Sequence, residues 1–263
     1  MDPFDEKIIR LKAALNSAGS LLVSYSGGVD STVLAVAAKE VLSGRMACAI
    51  VESPLIPQSE LEGALELAES LSLPCSVLKS GIMDNDEFLR NERDRCYTCK
   101  KEMSRLLLAE AERLGLEKIA DGSNTSDLSK YRPGFEASEE AGIIHPFIDA
   151  GMDKEDIRRL ARAYGLPVSG KPSASCLASR IPYGDRLDPG ILEKIAMSEE
   201  FIISLGAGQV RVRKHGDIAR IEVDPEDFEL ILENREKISS YLKGYGFRYI
   251  TLDLDGFVSG SLD

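Results

Sequence analysis

The sequence predicts an α/β protein with a doubly wound, mostly parallel sheet, followed by a smaller α/β domain. Over the first two-thirds of the chain, short apolar runs alternate with segments of helical periodicity, as in a parallel sheet covered by helices on both faces. The composition then changes to Gly, Pro and Ser between 167 and 188. We therefore predict domains at 1–170 and 189–263, joined by a cysteine-bearing connecting loop at 171–188.

The individual elements follow from the spacing of apolar residues. In the larger domain we predict strands at 20–25, 46–51, 75–78, 118–121 and 142–147. The principal helices predicted there are 30–43, 101–116 and 153–164, the last ending at Gly165. In the smaller domain we predict a helix at 189–205, a hairpin of strands 209–213 and 218–223, a helix at 225–242 and a strand at 249–254.

Charge and length restrict the class of protein. The 263 residues include 32 Lys and Arg against 44 Asp and Glu, a formal net charge of −12. This argues against broad nucleic-acid binding, which needs a basic surface to displace counterions, but it permits a local basic pocket for a small anion. The first residues are acidic, unlike a signal peptide, and no apolar run approaches the ~20 residues that span a bilayer. We expect a cytoplasmic protein with no membrane or nucleic-acid partner and reduced cysteines.

The strongest local signal is the segment 26–31, SGGVDS, between the first predicted strand and its helix. Adjacent glycines allow a tight turn and close approach of a ligand, and the helix N-terminus presents amides to an anion. Asp30 can hold Mg²⁺, and no lysine-containing P-loop motif occurs. A tight turn before a capped helix is the alternative. The candidate ATP-binding residues are Ser24, Ser26, Gly27, Gly28, Val29, Asp30 and Ser31, of which Asp30 and Ser31 are also catalytic candidates.

The six residues 26–31 match the PP-loop of the ATP pyrophosphatase superfamily. That group includes the ATP-using domains of GMP synthetase, NAD synthetase and tRNA thiolases. The resemblance implies an adenine nucleotide alpha hydrolase-like sheet and cleavage of ATP between the α and β phosphates. AMP would remain on a substrate oxygen, and diphosphate would be released.

A second polar loop, 121–127, follows the fourth predicted strand. Ligands of open α/β sheets bind at the carboxyl ends of strands, so this loop is expected to face the phosphate loop. The resemblance implies nucleotide and metal contacts here, although a helix-capping loop is the alternative. Arg132 follows and is either a bidentate ligand of a substrate anion or a surface arginine. The candidate nucleotide-binding residues of the loop are Asp121, Gly122, Asn124 and Asp127.

The five cysteines divide by position. Cys48 and Cys75 fall inside predicted strands, where a free cysteine is usually a small buried hydrophobe. Cys96 and Cys99 form a C-x-x-C pair just before a predicted helix, and Cys176 lies in the connecting loop. The pair alone is compatible with a redox couple or half a zinc site, and the chain has only two histidines to complete four zinc ligands. Three thiolates on a [4Fe–4S] cluster would leave one iron open for sulfide, but spacing alone does not decide this.

The whole chain resembles the LarE family. The resemblance rests on the PP-loop, the segments 121–127 and 131–134, the sequence CLASR at 176–180 and VRVRKHG at 210–216, and it extends nearly end to end. That family makes the nickel-pincer nucleotide cofactor of lactate racemase. The resemblance implies that ATP adenylates a carboxylate of pyridinium-3,5-biscarboxylic acid mononucleotide, which sulfur then converts to a thiocarboxylate. It also implies homo-oligomerisation.

The cysteines indicate which type of family member this is. Some members sacrifice the cysteine at the position of Cys176, which becomes dehydroalanine. This chain also has Cys96 and Cys99, so it resembles the cluster-bearing type, in which three cysteines hold [4Fe–4S] and sulfide or another sulfur donor resupplies it. The sacrificial route remains the alternative.

The smaller domain contributes arginines. Arg211 and Arg213 lie two apart on a predicted strand, so both side chains project from one face, suited to a phosphate or a carboxylate. A solvated strand face is the alternative. Glu200 and Glu222 are candidate partners or metal contacts, but the favoured interpretation of each is a side chain with no role in the site. The candidate substrate-binding residues are Arg132, Ser179, Arg180, Arg211 and Arg213.

Two other functions compete with this one. A tRNA 2-thiolation enzyme can also combine a PP-loop with cysteines, but it needs a basic RNA-binding surface, which the net charge disfavours. A non-catalytic nucleotide-binding or iron–sulfur protein would release no diphosphate with any substrate.

Overall fold

The structure is a computed structural model that describes residues 2–128, 133–171 and 175–258. In chain order, its helices are α1 Pro3–Ser17, α2 Val29–Leu42, α3 Gln58–Ser70, α4 Asp86–Leu89, α5 Arg95–Leu114, α6 Pro133–Glu140, α7 Pro146–Asp149, α8 Lys154–Ala163, α9 Pro189–Ser204, α10 Phe228–Glu233 and α11 Arg235–Gly244. Its strands are β1 Leu21–Ser24, β2 Met46–Glu52, β3 Cys75–Lys79, β4 Lys118–Ala120, β5 Val210–His215, β6 Ile218–Val223 and β7 Tyr249–Leu252.

The chain divides into two compact units. Unit 1 comprises Met1–Ser53, Gln58–Asp84 and Asp94–Ala174, and unit 2 comprises Pro54–Pro57, Asn85–Arg93 and Ser175–Asp263. Unit 2 therefore includes two short segments from the first part of the chain, which no sequence pattern had indicated. None of the described helices is long and apolar enough to cross a membrane.

Unit 1 is built on a parallel sheet with the order β3-β2-β1-β4 among its described strands. Alternate residues of β1 pack into two separate apolar layers, because successive strand side chains point to opposite faces. Leu21 and Val23 join the cluster formed with α1, α2 and α8, whereas Leu22 packs with Leu107 of α5. Helices thus cover both faces, and the predicted doubly wound α/β fold is confirmed.

One predicted strand of unit 1 is wrong. In place of a strand at 142–147, Ile144 forms a single parallel bridge with Ala120. Pro146 then starts α7, because proline has no N–H for a sheet ladder but fits the first turn of a helix. Helix α1 is an addition that the sequence reasoning had not included.

Unit 2 contains the predicted hairpin, with β5 antiparallel to β6, and β7 then adds parallel to β6. The predicted helix at 225–242 is interrupted: a 3-10 turn at Pro225–Asp227 leads into α10 and α11, which meet at Asn234. The segment 85–93 is fixed in this unit by Asn91. Its buried amide donates to the carbonyls of Ile181, Pro182 and Asp185 at 3.3, 2.8 and 3.0 Å.

Candidate active site

The phosphate loop joins the end of β1 to the start of α2. Gly27 has a φ of +68°, and a Cβ there would lie only 2.5 Å from the Cβ of Ala64. Both the backbone conformation and the space therefore require glycine. Gly28 precedes α2 without a side-chain cap, so no capping side chain occupies the amides of the first turn. That arrangement suits an anion at the helix N-terminus.

The loop is held by the hydroxyl of Ser31. Its Oγ accepts from the amide of Ser26 at 3.1 Å and donates to the carbonyl of Gly28 at 3.2 Å. The Ser26 and Ser31 hydroxyls also share a hydrogen bond of 3.1 Å. The two serines therefore stabilise the turn itself, whatever contacts they make to a ligand.

Asp30 has one carboxylate oxygen in an ion pair and one without a partner. Its Oδ2 accepts from the ammonium of Lys154. Its Oδ1 is buried and has no hydrogen-bond partner among the described residues. Carboxylate oxygens are the ligands that Mg²⁺ prefers, so this oxygen fits the predicted metal contact. Lys154 was not predicted as part of the site, because its position as the first residue of α8 gives no signal of a partner 124 residues away.

The second polar loop packs directly against the phosphate loop, as its place after β4 predicted. A Cβ on Gly122 would lie 2.9 Å from the Cβ of Asp30 and 3.1 Å from the amide nitrogen of Ser31. Because β1 and β4 are parallel neighbours, their carboxyl ends lie side by side. Glycine at 122 is what allows the loops to approach this closely.

Asn124 and Asp127 form a capping box around the 3-10 turn Thr125–Asp127. Asn124 Oδ1 accepts from the amide of Ser126, and Asp127 Oδ2 accepts from the amide of Asn124, both at 3.1 Å. The described geometry thus gives both side chains the capping role that the sequence left open as the alternative. Contacts of these two residues with a nucleotide stay a prediction.

Asp121 is buried and surrounded by four hydrogen-bond donors. His145 Nδ1 and the amide of Ser123 reach Oδ1 at 2.8 and 3.1 Å, while Lys100 Nζ and the Ser138 hydroxyl reach Oδ2 at 2.8 and 3.1 Å. Burial alone would raise the pKa of Asp121, but His145 and Lys100 outweigh it and hold the pKa far below its ordinary value. Four donors match the lone pairs of an ionised carboxylate, so the group is saturated by protein.

Cys96 and Cys99 occupy the first turn of α5. The sequence placed them just before a helix starting at 101, but the helix begins at Arg95, which puts the pair three residues apart on one face. Cys96 is exposed and Cys99 is half-buried. This turn therefore presents an accessible thiol with a second one beside it.

Cys48 and Cys75 lie opposite each other on the neighbouring strands β2 and β3, as expected of residues in strands. Both are free cysteines. Cys48 is fully buried, whereas Cys75 is half-buried. Burial raises the pKa of Cys75 to about 11 and that of Cys48 further. Both thiols are therefore poor nucleophiles at neutral pH, in contrast to a reactive cysteine, which needs a thiolate.

A complete metal site is not assembled. Over 2–128, 133–171 and 175–258, no three His, Cys, Asp or Glu residues lie close enough together to hold a metal ion. The donor chemistry of Cys96 and Cys99 fits two ligands of an iron–sulfur cluster. Cys176 belongs to unit 2 and is exposed. The structure therefore does not show a three-cysteine cluster.

Cys176 precedes a 3-10 turn, Leu177–Arg180, in unit 2. The amide of Leu177 donates to the carbonyl of Leu55, and the hydroxyl of Ser179 donates to the carbonyl of Cys176, at 2.9 and 2.7 Å. Arg180 is buried and binds the carboxylate of Glu199 through two hydrogen bonds of 2.9 Å each. The backbone of the turn that contains Cys176 is thus held by several hydrogen bonds, although Cys176 itself is an exposed residue.

Arg211 and Arg213 of β5 have different surroundings. Arg213 is buried and donates to Glu222 Oε1 at 2.7 Å and to the carbonyl of Ser179 at 2.8 Å. Arg211 is half-buried, with its guanidinium 5.2 Å from the centre of the Phe257 ring. Burial lowers the pKa of Arg211, and the neighbouring Arg180 and Arg213 lower it further.

Two glutamates neutralise part of this charge. Glu222, a candidate partner from sequence, is buried and also accepts from Arg220 at 2.6 Å. Glu199 was missed in favour of its neighbour Glu200. A signal for Glu199 existed: it lies on the same face of α9 as the buried residues Leu192, Ile195 and Ile202.

Arg132 lies outside the described residues, so its role stays a prediction.

Comparison with known proteins identifies the family. The family model described as NAD synthase matches residues 5–104. Pyridinium-3,5-bisthiocarboxylic acid mononucleotide synthase of Lactiplantibacillus plantarum is 35% identical over 254 residues, which cover 96% of this chain and 92% of that protein. This chain belongs to the LarE family. An uncharacterized protein of Synechocystis is 34% identical over 98% of this chain and 97% of its own length.

Membership of the LarE family makes the chain an ATP-dependent sulfurtransferase with a PP-loop. Similarity to tRNA thiolases is weaker and partial. A tRNA-specific 2-thiouridylase MnmA of Leptospira biflexa is 26% identical over 59% of this chain and 50% of its own length. The similarity to the Lactiplantibacillus synthase, in contrast, covers 96% of this chain and therefore extends through both units.

Proposed function

We propose that this chain adenylates a carboxylate of pyridinium-3,5-biscarboxylic acid mononucleotide with ATP and replaces the activated oxygen with sulfur, in the synthesis of the nickel-pincer nucleotide. The similarity to the Lactiplantibacillus synthase over 96% of the chain is the observation that carries the proposal. A carboxylate is a poor electrophile, and AMP supplies the leaving group that a sulfur nucleophile can displace.

The phosphate loop and Asp30 provide the activation half of the reaction. Diphosphate leaves from the N-terminus of α2, where amides and the helix dipole favour negative charge. Mg²⁺ would be held by Asp30 and would neutralise charge on the phosphates. Lys154 pairs with the other oxygen of Asp30, which fixes the orientation of the carboxylate.

The arginines of unit 2 provide the anion-binding half. Arg180, Arg211, Arg213 and Arg220 carry four positive charges against the three carboxylates of Glu199, Glu222 and Asp253. The excess of positive charge favours binding of a phosphate or carboxylate. Arg211 is the strongest candidate for direct contact, because it is partly exposed and an anion would relieve the repulsion from Arg180 and Arg213.

The sulfur half depends on thiols. Cys96 and Cys176 are exposed and Cys99 is partly so, and we propose that these three hold a [4Fe–4S] cluster that carries the transferred sulfide. The anaerobically purified protein is then expected to contain about four irons per chain. Cys99→Ala should lose that iron, whereas Cys75→Ala should retain it. Iron-free protein whose Cys176 loses sulfur after turnover would replace the cluster with the sacrificial route.

The overall function is tested by diphosphate release. With sulfide supplied as the sulfur donor, ATP and pyridinium-3,5-biscarboxylic acid mononucleotide should give AMP, diphosphate and a product in which sulfur replaces oxygen, identified by mass spectrometry. No diphosphate release under anaerobic conditions would contradict the proposal and favour a nucleotide-binding protein without catalysis. Binding and thiolation of tRNA at low salt would instead favour the alternative that the partial MnmA similarity raises.

A further inference from the structure

The side chain of Arg180 is surrounded by acceptors of the protein itself. Only 3% of the residue is exposed. Its Nε and Nη2 bind the two carboxylate oxygens of Glu199. Its Nη1 lies 2.9 Å from the carbonyl and 2.6 Å from the hydroxyl of Ser175, 3.1 Å from the carbonyl of Cys176 and 2.9 Å from the hydroxyl of Ser179. All three guanidinium nitrogens of Arg180 therefore already donate hydrogen bonds within the protein.

The carboxylate that orients Arg180 is itself fixed to the sheet. Glu199 is 5% exposed, and its Oε1 also accepts from the amide of Val212 on β5 at 2.8 Å. Arg213 adds a second connection from β5 to the same turn through the carbonyl of Ser179. A continuous set of hydrogen bonds thus runs from β5 through Glu199 and Arg180 to the backbone of Cys176.

This geometry conflicts with direct substrate binding by Arg180. A guanidinium presents its N–H groups in a rigid fork, and each of the three nitrogens of Arg180 already donates to an acceptor of the protein. An anion would have to displace a buried carboxylate or the carbonyls of the Cys176 turn. Displacing either would leave a buried polar group unsatisfied, which is costly.

We propose that Arg180, oriented by Glu199, is a positioning residue that holds the Cys176 turn for the sulfur-transfer step. The proposal rests on the proposed function, and it assigns Arg180 to the cysteine instead of to the substrate anion. Lysine cannot replace the guanidinium of Arg180, because a single ammonium cannot bind Glu199 bidentately and also reach the Cys176 turn.

The decisive comparison is Arg180→Lys against wild type and against Arg186→Lys. Arg186 is an exposed arginine of unit 2 that pairs with Asp86, which makes it a matched control. With Arg180→Lys we expect KM for the mononucleotide to stay within about 2-fold and the thiocarboxylate formed per AMP to fall about 10-fold or more, since small displacements of a reacting group are costly. A rise in KM of about 10-fold at an unchanged product-to-AMP ratio, or no change in either, would overturn the proposal.

Alkylation of Cys176 provides a readout that needs no turnover. Iodoacetamide labelling of protein freed of iron, so that no thiol is bound to the proposed cluster, followed by peptide mass spectrometry should show a changed rate at Cys176 in Arg180→Lys and an unchanged rate at Cys96. Identical labelling rates of Cys176 in wild type and Arg180→Lys would overturn the positioning role. This result does not depend on which substrate the enzyme uses. If Arg180→Lys does not fold, Arg180→Met with Glu199→Met removes both buried charges together, which is often tolerated. That folded double variant must show the same altered Cys176 rate.

Discussion

Asp30 and Asp121 both follow neighbouring parallel strands of unit 1, Asp30 in the first turn of α2 after β1 and Asp121 directly after β4, yet their carboxylates are used differently. Asp30 has one oxygen paired with Lys154 and one buried oxygen without a partner among the described residues. Asp121 has both oxygens occupied by four donors. Position at the end of a strand therefore does not define the role. The number of donors that the tertiary structure brings to each carboxylate does.

This difference favours the proposed metal contact at Asp30 and a structural role for Asp121. Lys100 and Ser138 connect Asp121 to α5 and α6, and His145 connects it to the start of α7. Gly122, the next residue, contacts the first turn of α2. Asp121 thus holds the second loop against the phosphate loop and ties both to the helix that contains Cys96 and Cys99.

The largest effect is expected from Asp30→Asn. Loss of the proposed metal ligand should lower diphosphate release by about 10²-fold or more, since one charged contact of this kind contributes about 3 kcal/mol. The free energy of unfolding should change by less than about 1 kcal/mol, because the ion pair with Lys154 is partly exposed. Asp86→Asn, which alters an exposed ion pair, is the control and should keep full activity. Retained diphosphate release in Asp30→Asn would contradict the assignment.

Asp121→Asn should affect stability more than chemistry. Removing one charge from a buried, hydrogen-bonded set is expected to lower the free energy of unfolding by about 3 kcal/mol, measured by urea denaturation. Diphosphate release by the remaining folded protein should fall by less than about 10-fold. A loss of activity as large as that of Asp30→Asn, without loss of stability, would show that Asp121 is a metal or nucleotide ligand.

The difference in stability between wild type and Asp121→Asn has a predictable pH dependence. The folded-state pKa of Asp121 lies well below its ordinary value of about 3.9, so its stabilisation is complete above that value and is lost as the pH falls towards the folded-state pKa. The difference in stability between wild type and Asp121→Asn should therefore be constant near neutral pH and shrink below about pH 4. A difference that grows on acidification would contradict the ionised, saturated carboxylate.

A smaller effect is expected from Gly122→Ala. The new Cβ would lie 2.9 Å from the Cβ of Asp30, so the two loops must separate slightly, at a cost of about 1–3 kcal/mol. Gly44→Ala is the matched control, because a Cβ there meets no atom within 4 Å. Diphosphate release should fall about 5-fold in the first variant and stay unchanged in the second. Equal behaviour of the two variants would mean that contact between the loops does not support catalysis.

The sequence by itself determined the parallel α/β fold, the phosphate loop and the hairpin of unit 2. Each depends on a local pattern: apolar runs that must be buried on both faces, adjacent glycines before a helix, and alternation around a turn. The same locality explains two errors. Pro146 ended a strand that apolar residues had predicted, and Asn234 divides the helix predicted at 225–242 into α10 and α11.

Only the tertiary structure decided which polar side chains remain available for a ligand. Lys154 reaches Asp30 across 124 positions, and Lys100 reaches Asp121 across 21. Glu199 orients Arg180 across 19 positions. The type of residue at a strand end or in a motif indicates which ligands its side chain is able to bind. Whether that side chain already has partners within the protein depends on donors and acceptors that lie far away along the chain. No local periodicity in the sequence predicts those long-range contacts.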